Sequence, residues 1–175
     1  MIKFLVTGDG IAPKRALGDA GFDFYVPKYS DALVDEINTK SNRKVSLVKS
    51  IVDNSEEVKI KLYPHEDVLI PTYVYSQFPS NIALVAKNKS GVATKQKLNV
   101  GACVVDSSYQ GVIHVHVTNV SSEPQFIEFG KKIVQFVPFL IDDSEPEVFT
   151  DLKLEEFFNN KSNRGAGGFG STGLN

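Results

Sequence analysis

The sequence predicts an all-β protein, a sandwich or jelly roll of short strands, and three observations support this prediction. Runs rich in β-branched and aromatic residues recur along most of the chain, separated by glycine, proline and asparagine turns. Several runs alternate apolar and polar residues, the period of a strand with one buried face. Only two stretches, one within residues 29–56 and one at 151–158, carry a helical pattern. This pattern is typical of packed antiparallel sheets.

Seven runs are predicted to be strands, and most of them end at a turn signal. The clearest is the run 111–119, in which Ile113, Val115 and Val117 fall on one face while Val112, His114 and His116 fall on the other. Two histidines on one face could bind a metal ion, but no third ligand is evident, so we interpret them as exposed strand residues. The predicted strands are residues 2–7, 22–26, 58–62, 68–70, 82–86, 111–119 and 133–141.

Residues 29–56 interrupt the strand pattern and are predicted to be a helical insertion with one or two short helices. Ser30 is a suitable N-cap, and Leu33, Val34 and Ile37 after it have the spacing of one helix face. We interpret the insertion as a surface arm, and a role in binding a partner or in regulation stays open.

The composition is that of one globular domain without an excess of basic residues. The chain has 175 residues, a net charge of −2 and a pI near 5.9, so a general attraction to nucleic acids or anionic membranes is excluded. The single cysteine, Cys103, excludes an intrachain disulfide, and the apolar run at the start is too short to span a membrane. We expect a soluble cytoplasmic protein with a β domain over 1–158 and a flexible tail over 159–175.

The stretch 164–173 has five glycines in ten residues, which disfavours both helix and strand. It also carries Arg164, which can bind a terminal phosphate, and Phe169, which can stack on a flat base. From these residues alone two interpretations are open: a flexible Gly/Ser terminus, or a tail that becomes ordered over a bound nucleotide. The rest of the chain favours the second.

Five segments, in order along the chain, resemble the five motifs of the trimeric deoxyuridine triphosphate nucleotidohydrolase (dUTPase) family. Each segment alone is a weak signal, but five in the right order over nearly the whole chain are specific. The segments are 20–24 (AGFDF), 89–93 (KSGVA), 100–111 (VGACVVDSSYQG), 130–135 (GKKIVQ) and 164–173 (RGAGGFGSTG).

The resemblance implies that Asp106 is the catalytic residue. As a general base it would activate a water for attack on the α-phosphorus of dUTP, giving dUMP and pyrophosphate. The Tyr109 ring would pack against the deoxyribose and exclude a 2′-hydroxyl. Asn99 and the hairpin through Cys103 would contact the uracil edge and reject cytosine. The reaction would keep uracil out of DNA and supply dUMP.

The resemblance also implies a phosphate site. Lys89, Ser90, Gly91 and Gln135 would contact the triphosphate, and Asp23 would have a supporting role. The cofactor would be Mg²⁺, held by the triphosphate with no direct protein ligand.

The tail is implied to be a lid that completes the site when substrate binds. Arg164 would meet the γ-phosphate, Phe169 would cover the uracil, and Gly170, Ser171 and Thr172 would donate hydrogen bonds. The resemblance implies a homotrimer with active sites shared between subunits, and no direct binding to nucleic acid or membrane is expected.

The chain departs from the family pattern at several positions. Lys89 stands where arginine is common, so a forked phosphate contact is lost while the charge is kept. Cys103 stands where glycine is usual, and Tyr73 also replaces a usual glycine. Lys131 and Lys132 make the fourth motif unusually basic.

Three alternative functions can be compared with dUTP hydrolysis at the level of sequence. A dCTP deaminase would share the fold and much of the phosphate site, but the Asp106-to-Tyr109 segment and the glycine tail favour dUTP hydrolysis. A non-catalytic protein using the 29–56 insertion to bind a partner would have little reason to keep Asp106, Tyr109 and Arg164. A β-sandwich capsid or adhesion module would leave the five ordered motifs unexplained.

Overall fold

The protein was analysed as a computed structural model, which describes residues 1–142 and 144–158. The chain divides into two compact units, Met1–Asp143 and Ser144–Asn175. The predicted lid, residues 159–175, lies outside the described residues.

The first unit consists mainly of short strands. Within the described residues the strands are β1 (Lys3–Val6), β2 (Phe22–Tyr25), β3 (Ser46–Val52), β4 (Ser55–Leu62), β5 (Asp67–Pro71), β6 (Val74–Gln77), β7 (Ile82–Asn88), β8 (Leu98–Gly101), β9 (Val104–Val105), β10 (His114–Asn119), β11 (Gln125–Glu128) and β12 (Lys132–Leu140). The helices are α1 (Asp31–Lys40) and α2 (Ser90–Lys95).

The strands pair antiparallel throughout the described residues. They form sheets of order β2-β12-β7-β9, β5-β10-β8 and β11-β4-β3, together with a β1-β6 ribbon. All seven predicted strands are present, and the all-β fold class is confirmed. Sequence reasoning missed the short strands β6, β8, β9 and β11, whose patterns are too brief to show a period.

The core fixes the strands that carry the site. The Phe24 and Phe136 rings pack edge to face with centroids 4.7 Å apart, and both side chains are fully buried. Each such side chain contributes roughly 1.5–3 kcal/mol through burial. Because side chains alternate across a strand, locking these two rings also orients their neighbours Asp23 and Gln135, which are register partners on β2 and β12.

The insertion is half helix and half hairpin. The helix is confirmed as α1: Ser30 Oγ accepts a hydrogen bond from the Leu33 N–H at 3.3 Å, and Leu33 and Ile37 are fully buried. A second helix is not present, because residues 46–52 form β3 and pair with β4. Sequence reasoning failed here since β3 exposes most of its side chains and so lacks a buried stripe.

Tyr73 connects the β domain to the inserted helix. Its φ of 56° lies in the left-handed region, which favours glycine and strains a tyrosine. The Tyr73 hydroxyl donates to the Glu36 carboxylate on α1 at 2.9 Å. Burial, together with this hydrogen bond, raises the pKa of Tyr73 to about 12. The departure from glycine at residue 73 therefore belongs with the insertion.

The two β10 histidines were predicted to be exposed strand residues. In the structure both side chains are partly covered and hydrogen-bonded. His114 Nδ1 lies 2.8 Å from the Val112 carbonyl oxygen, and burial lowers the His114 pKa. His116 Nε2 lies 2.8 Å from an Asp67 carboxylate oxygen. Within residues 1–142 and 144–158, no three His, Cys, Asp or Glu side chains are grouped to hold a metal ion.

The described part of the second unit, residues 144–158, contains one helical turn, α3 (Leu154–Phe157). The Phe157 ring packs edge to face against Phe149 and Phe158, with centroids 6.1 and 5.1 Å away. Across the described residues of both units, no helix has the length and apolarity to cross a membrane.

Candidate active site

The third motif crosses from one sheet to another and ends at Asp106. Strand β8 pairs with β10 and β9 pairs with β7, so the predicted hairpin through Cys103 is not present as a strand pair, and the motif is a strand–turn–strand segment. Strands β8 and β9 flank a turn in which Ala102 has a φ of 49°, in the left-handed region. The Ala86 N–H on β7 donates to the Cys103 carbonyl at 2.6 Å, which ties the turn to the four-stranded sheet. Asp106 follows the two-residue strand β9 and is exposed. The carboxylate is thus held by a rigid backbone while facing solvent.

Asn99 is held by a residue that sequence reasoning missed. Asn88, the last residue of β7, donates through Nδ2 to Asn99 Oδ1 at 2.6 Å. The Asn88 Oδ1 accepts from the Val100 N–H at 2.8 Å. Asn88 directly precedes the second motif, so it joins the second and third motifs. A polar residue ending an otherwise apolar strand was the available signal.

Tyr109 is fixed above a glycine. Its N–H donates to the Asp106 carbonyl at 3.1 Å, closing a turn, and its hydroxyl donates to the Val112 carbonyl at 2.9 Å. A Cβ atom on Gly111 would lie 2.4 Å from the Tyr109 hydroxyl oxygen. Gly111 therefore allows the ring to fold back over the chain. The turn places an exposed ring and an exposed carboxylate three residues apart.

Asp23 joins three of the motifs. Its carboxylate is bonded to the Lys89 ammonium and lies 2.7 Å from Lys132 Nζ. Burial acts to raise the Asp23 pKa, but the hydrogen bonds from Lys132 and Lys89 outweigh it and hold the pKa below its usual range. The predicted phosphate ligand Lys89 is thus paired with Asp23, and the pairing of Lys132 was not anticipated.

A close strand contact brings Gln135 to the same place. A Cβ on Gly21 would lie 2.4 Å from the Phe136 carbonyl oxygen and 2.9 Å from Gln135 Cγ. Glycine at this position lets the chain before β2 approach β12 closely. Gln135 is half-buried and faces Asp23 in the strand register.

The predicted residues form two groups within the described part of the chain. One, on β2, α2 and β12, contains Asp23, Lys89, Ser90, Gly91 and Gln135. The other, on the segment from β8 to β9 and the turn after it, contains Asn99, Cys103, Asp106 and Tyr109. Asn88 links them. The tail residues Arg164, Phe169, Gly170, Ser171 and Thr172 lie outside the described residues.

The sequence model of the dUTPase family matches residues 50–173, more than half of the chain. The chain belongs to the dUTPase family. The deoxyuridine 5′-triphosphate nucleotidohydrolase of Shewanella sediminis is 38% identical over 120 residues, covering 67% of this chain and 74% of that protein. The region matched by the family model, residues 50–173, contains all but the first of the five motifs.

Solved dUTPase structures have the same fold. A mutant dUTPase of Staphylococcus bacteriophage 80alpha with dUpNHpp has a TM-score of 0.71 and 20% identity, covering 99% of both chains. A mutant dUTPase from phage phi11 of S. aureus, described as coordinating a structural Mg(II) ion, has a TM-score of 0.63 and 16% identity, covering 87% of this chain and 99% of that one. At these identities the likeness establishes the fold alone.

Proposed function

We propose that this dUTPase-family protein hydrolyses dUTP to dUMP and pyrophosphate. The observation that carries the proposal is the turn after β9, which holds the exposed Asp106 carboxylate three residues from a Tyr109 ring fixed over Gly111. A carboxylate that can act as a general base, beside an aromatic ring that can pack against a sugar, suits hydrolysis of a deoxynucleotide. Membership of the dUTPase family supports the choice of substrate.

In this mechanism Asp106 is the general base. It takes a proton from a water as the water oxygen bonds to the α-phosphorus. The bond between the α-phosphorus and the oxygen that bridges to the β-phosphorus breaks, and its electron pair leaves with pyrophosphate. Because the carboxylate directly follows β9, which pairs with β7, it needs little reorganisation to hold the water.

Selection of the nucleoside depends on the segment from β8 to Tyr109. Asn99, oriented by Asn88, and the backbone around Cys103 would bond the uracil edge, and an unmatched base would leave these groups unpaired. The Tyr109 ring, with its hydroxyl bonded to Val112, has little freedom to move aside for a 2′-hydroxyl.

The phosphates would lie against Lys89, Ser90, Gly91 and Gln135. The Lys89 ammonium is balanced by Asp23, which would also position it for the incoming triphosphate. Lysine acts as a point charge rather than a fork, so it can shift from carboxylate to phosphate with a small movement of its stem.

Magnesium carried by the triphosphate fits these residues. Both Asp23 oxygens face lysine ammonium groups, which leaves that carboxylate poorly suited to bind a cation directly. When bound, Mg²⁺ would draw charge from the phosphate oxygens and hold them in one geometry. A homotrimer, a closing tail at 164–173 and a cytoplasmic location are part of the same proposal and follow from the family. A protein partner for the 29–56 insertion stays a prediction.

The test is pyrophosphate release from dUTP, dCTP, dTTP and UTP, with and without Mg²⁺. We expect turnover of dUTP alone, dependent on the metal, and lost by at least about a hundredfold in Asp106→Asn. Asp35→Asn, an exposed carboxylate on α1, is the matched control and should keep full activity. Ammonia release from dCTP would identify a deaminase instead, and no turnover of any nucleotide would refute the enzymatic proposal.

A further inference from the structure

A lysine-lined cavity lies beside the second motif. It is open, has a volume of about 580 Å³, and lies between α2, the end of β11 and the start of β12. Lys89 and Lys95 line it from the α2 side, and Lys132, the first residue of β12, lines it together with the preceding Lys131. Glu128 supplies the one carboxylate among the lining residues that the structure describes.

The cavity carries uncompensated positive charge. Glu128 is already bonded to Lys59, with Oε1 and Nζ 3.2 Å apart. The single Asp23 carboxylate is shared by two of the four lysines. Lys95 and Lys131 make no ion pair with any described residue and are exposed. Since the whole chain has a net charge of −2, this excess is local and not a general property of the surface.

The cavity adjoins the proposed phosphate site, and its lining does not include the third-motif residues that would bind the nucleoside. Lys89 and Gly91 belong to both the cavity wall and the second motif. Asn99, Asp106 and Tyr109 are not among the lining residues. An anion leaving the second motif would therefore enter this cavity directly.

The spacing of the cations favours an anion with more than one charged centre. Lys89 caps α2 and Lys95 ends it, which separates their backbones by about 9 Å along the helix. Lys131 and Lys132 form a third point of charge on another element. One phosphate group cannot reach all three points, whereas two linked phosphoryl groups extend their oxygens in both directions.

We propose that this cavity binds a condensed phosphate, an anion of at least two linked phosphoryl groups, through Lys95 and Lys131. Its source is the pyrophosphate released from the adjoining site, and this assignment of the source rests on the proposed function. The cavity would take up the leaving group before it diffuses away, so that pyrophosphate release passes through it.

Direct binding tests the site independently of turnover. Titration calorimetry with sodium pyrophosphate and Mg²⁺ compares the wild type with Lys95→Gln/Lys131→Gln. The matched control is Lys3→Gln/Lys44→Gln, which removes two exposed lysines outside the cavity. We expect the cavity variant to bind pyrophosphate at least about tenfold more weakly while the control binds like the wild type. Equal affinity in the two variants would overturn the proposal.

Steady-state kinetics separates this site from the substrate site. In the wild type, part of the inhibition by pyrophosphate should persist at saturating dUTP, and the cavity variant should lose that part. Its KM for dUTP should stay within about twofold of the wild-type value. A rise in KM that matches the loss of pyrophosphate binding would overturn the proposal, because the lysines would then bind the substrate triphosphate.

Two further anions identify the source. Orthophosphate should bind at least about tenfold more weakly than pyrophosphate, since it reaches fewer lysines. Tighter binding of dTTP than of pyrophosphate, lost in the cavity variant, would overturn the product assignment in favour of a nucleotide triphosphate. Pyrophosphate binding that depends on Lys95 and Lys131 in a protein without dUTP turnover would uphold the site and refute only the proposed function.

Discussion

The third-motif segment and the inserted segment 29–56 are anchored in opposite ways. The turn that follows β9 exposes Asp106 and Tyr109, and fixes them through backbone hydrogen bonds and the absence of a side chain at Gly111. The insertion is anchored through the fully buried side chains of α1, while its β3–β4 hairpin leaves Ile51 81% exposed. A functional side chain must be both exposed to substrate and held in place, and backbone hydrogen bonds can hold it without covering it. An inserted element must be attached to the rest of the protein, and burial of its side chains in the core provides that attachment.

The largest effect is expected from Gly111→Ala, which disturbs the turn after β9 without removing a reacting group. The new methyl would displace the Tyr109 ring, so kcat/KM for dUTP should fall by about a hundredfold because the ring no longer meets the sugar. Unfolding free energy should change little, since the ring can rotate into solvent. A double-mutant cycle with Tyr109→Ala checks the cause: full additivity would contradict action through the ring.

Leu33→Ala tests the attachment of the insertion. Removing a fully buried leucine should lower the unfolding free energy by about 2–5 kcal/mol, measured by denaturant titration. The exposed Leu17 is the matched control, and Leu17→Ala should cost less than about 0.5 kcal/mol. The folded variant should keep its kcat, and loss of kcat at constant folded fraction would show that the insertion supports the site.

Tyr73→Phe tests the link between the β domain and the insertion, and should cost about 1 kcal/mol at neutral pH. The pKa of Tyr73 is raised in the folded state, so its stabilising effect is present below the ordinary tyrosine pKa of about 10. That effect is lost as the pH rises towards the folded pKa of about 12. Tyr73→Phe should therefore lose stability less steeply between these pH values, while Tyr63→Phe should follow the wild type.

The smallest effect is expected from Ile51→Ser at the exposed end of the inserted hairpin, below about 0.5 kcal/mol in unfolding free energy. The buried Ile60 on β4 gives the contrast, and Ile60→Ser should cost several times more because a hydroxyl enters the core. Equal costs would mean that the β3 surface is covered in solution.

The elements with a strong local signal were predictable. The alternation of β10 and the spacing after Ser30 are properties of short segments, and both appear in the structure as a strand and a capped helix. The strand β3 could not be predicted, because its stability comes from pairing with β4 rather than from a buried face. The fold class therefore followed from local patterns in the sequence, whereas the secondary structure of the insertion depended on strand pairing and did not.

The sequence by itself determined the all-β class, because strand and turn patterns are local. It also determined the order of the five motifs, whose resemblance to a known family implied the residues expected to act. Only the tertiary structure decided which charges meet. It paired Asp23 with Lys89 and Lys132, bound Tyr73 to Glu36, and left Lys95 and Lys131 facing a cavity. These residues are far apart in sequence or show no period, so their contacts depend on how the packed strands bring the backbone together.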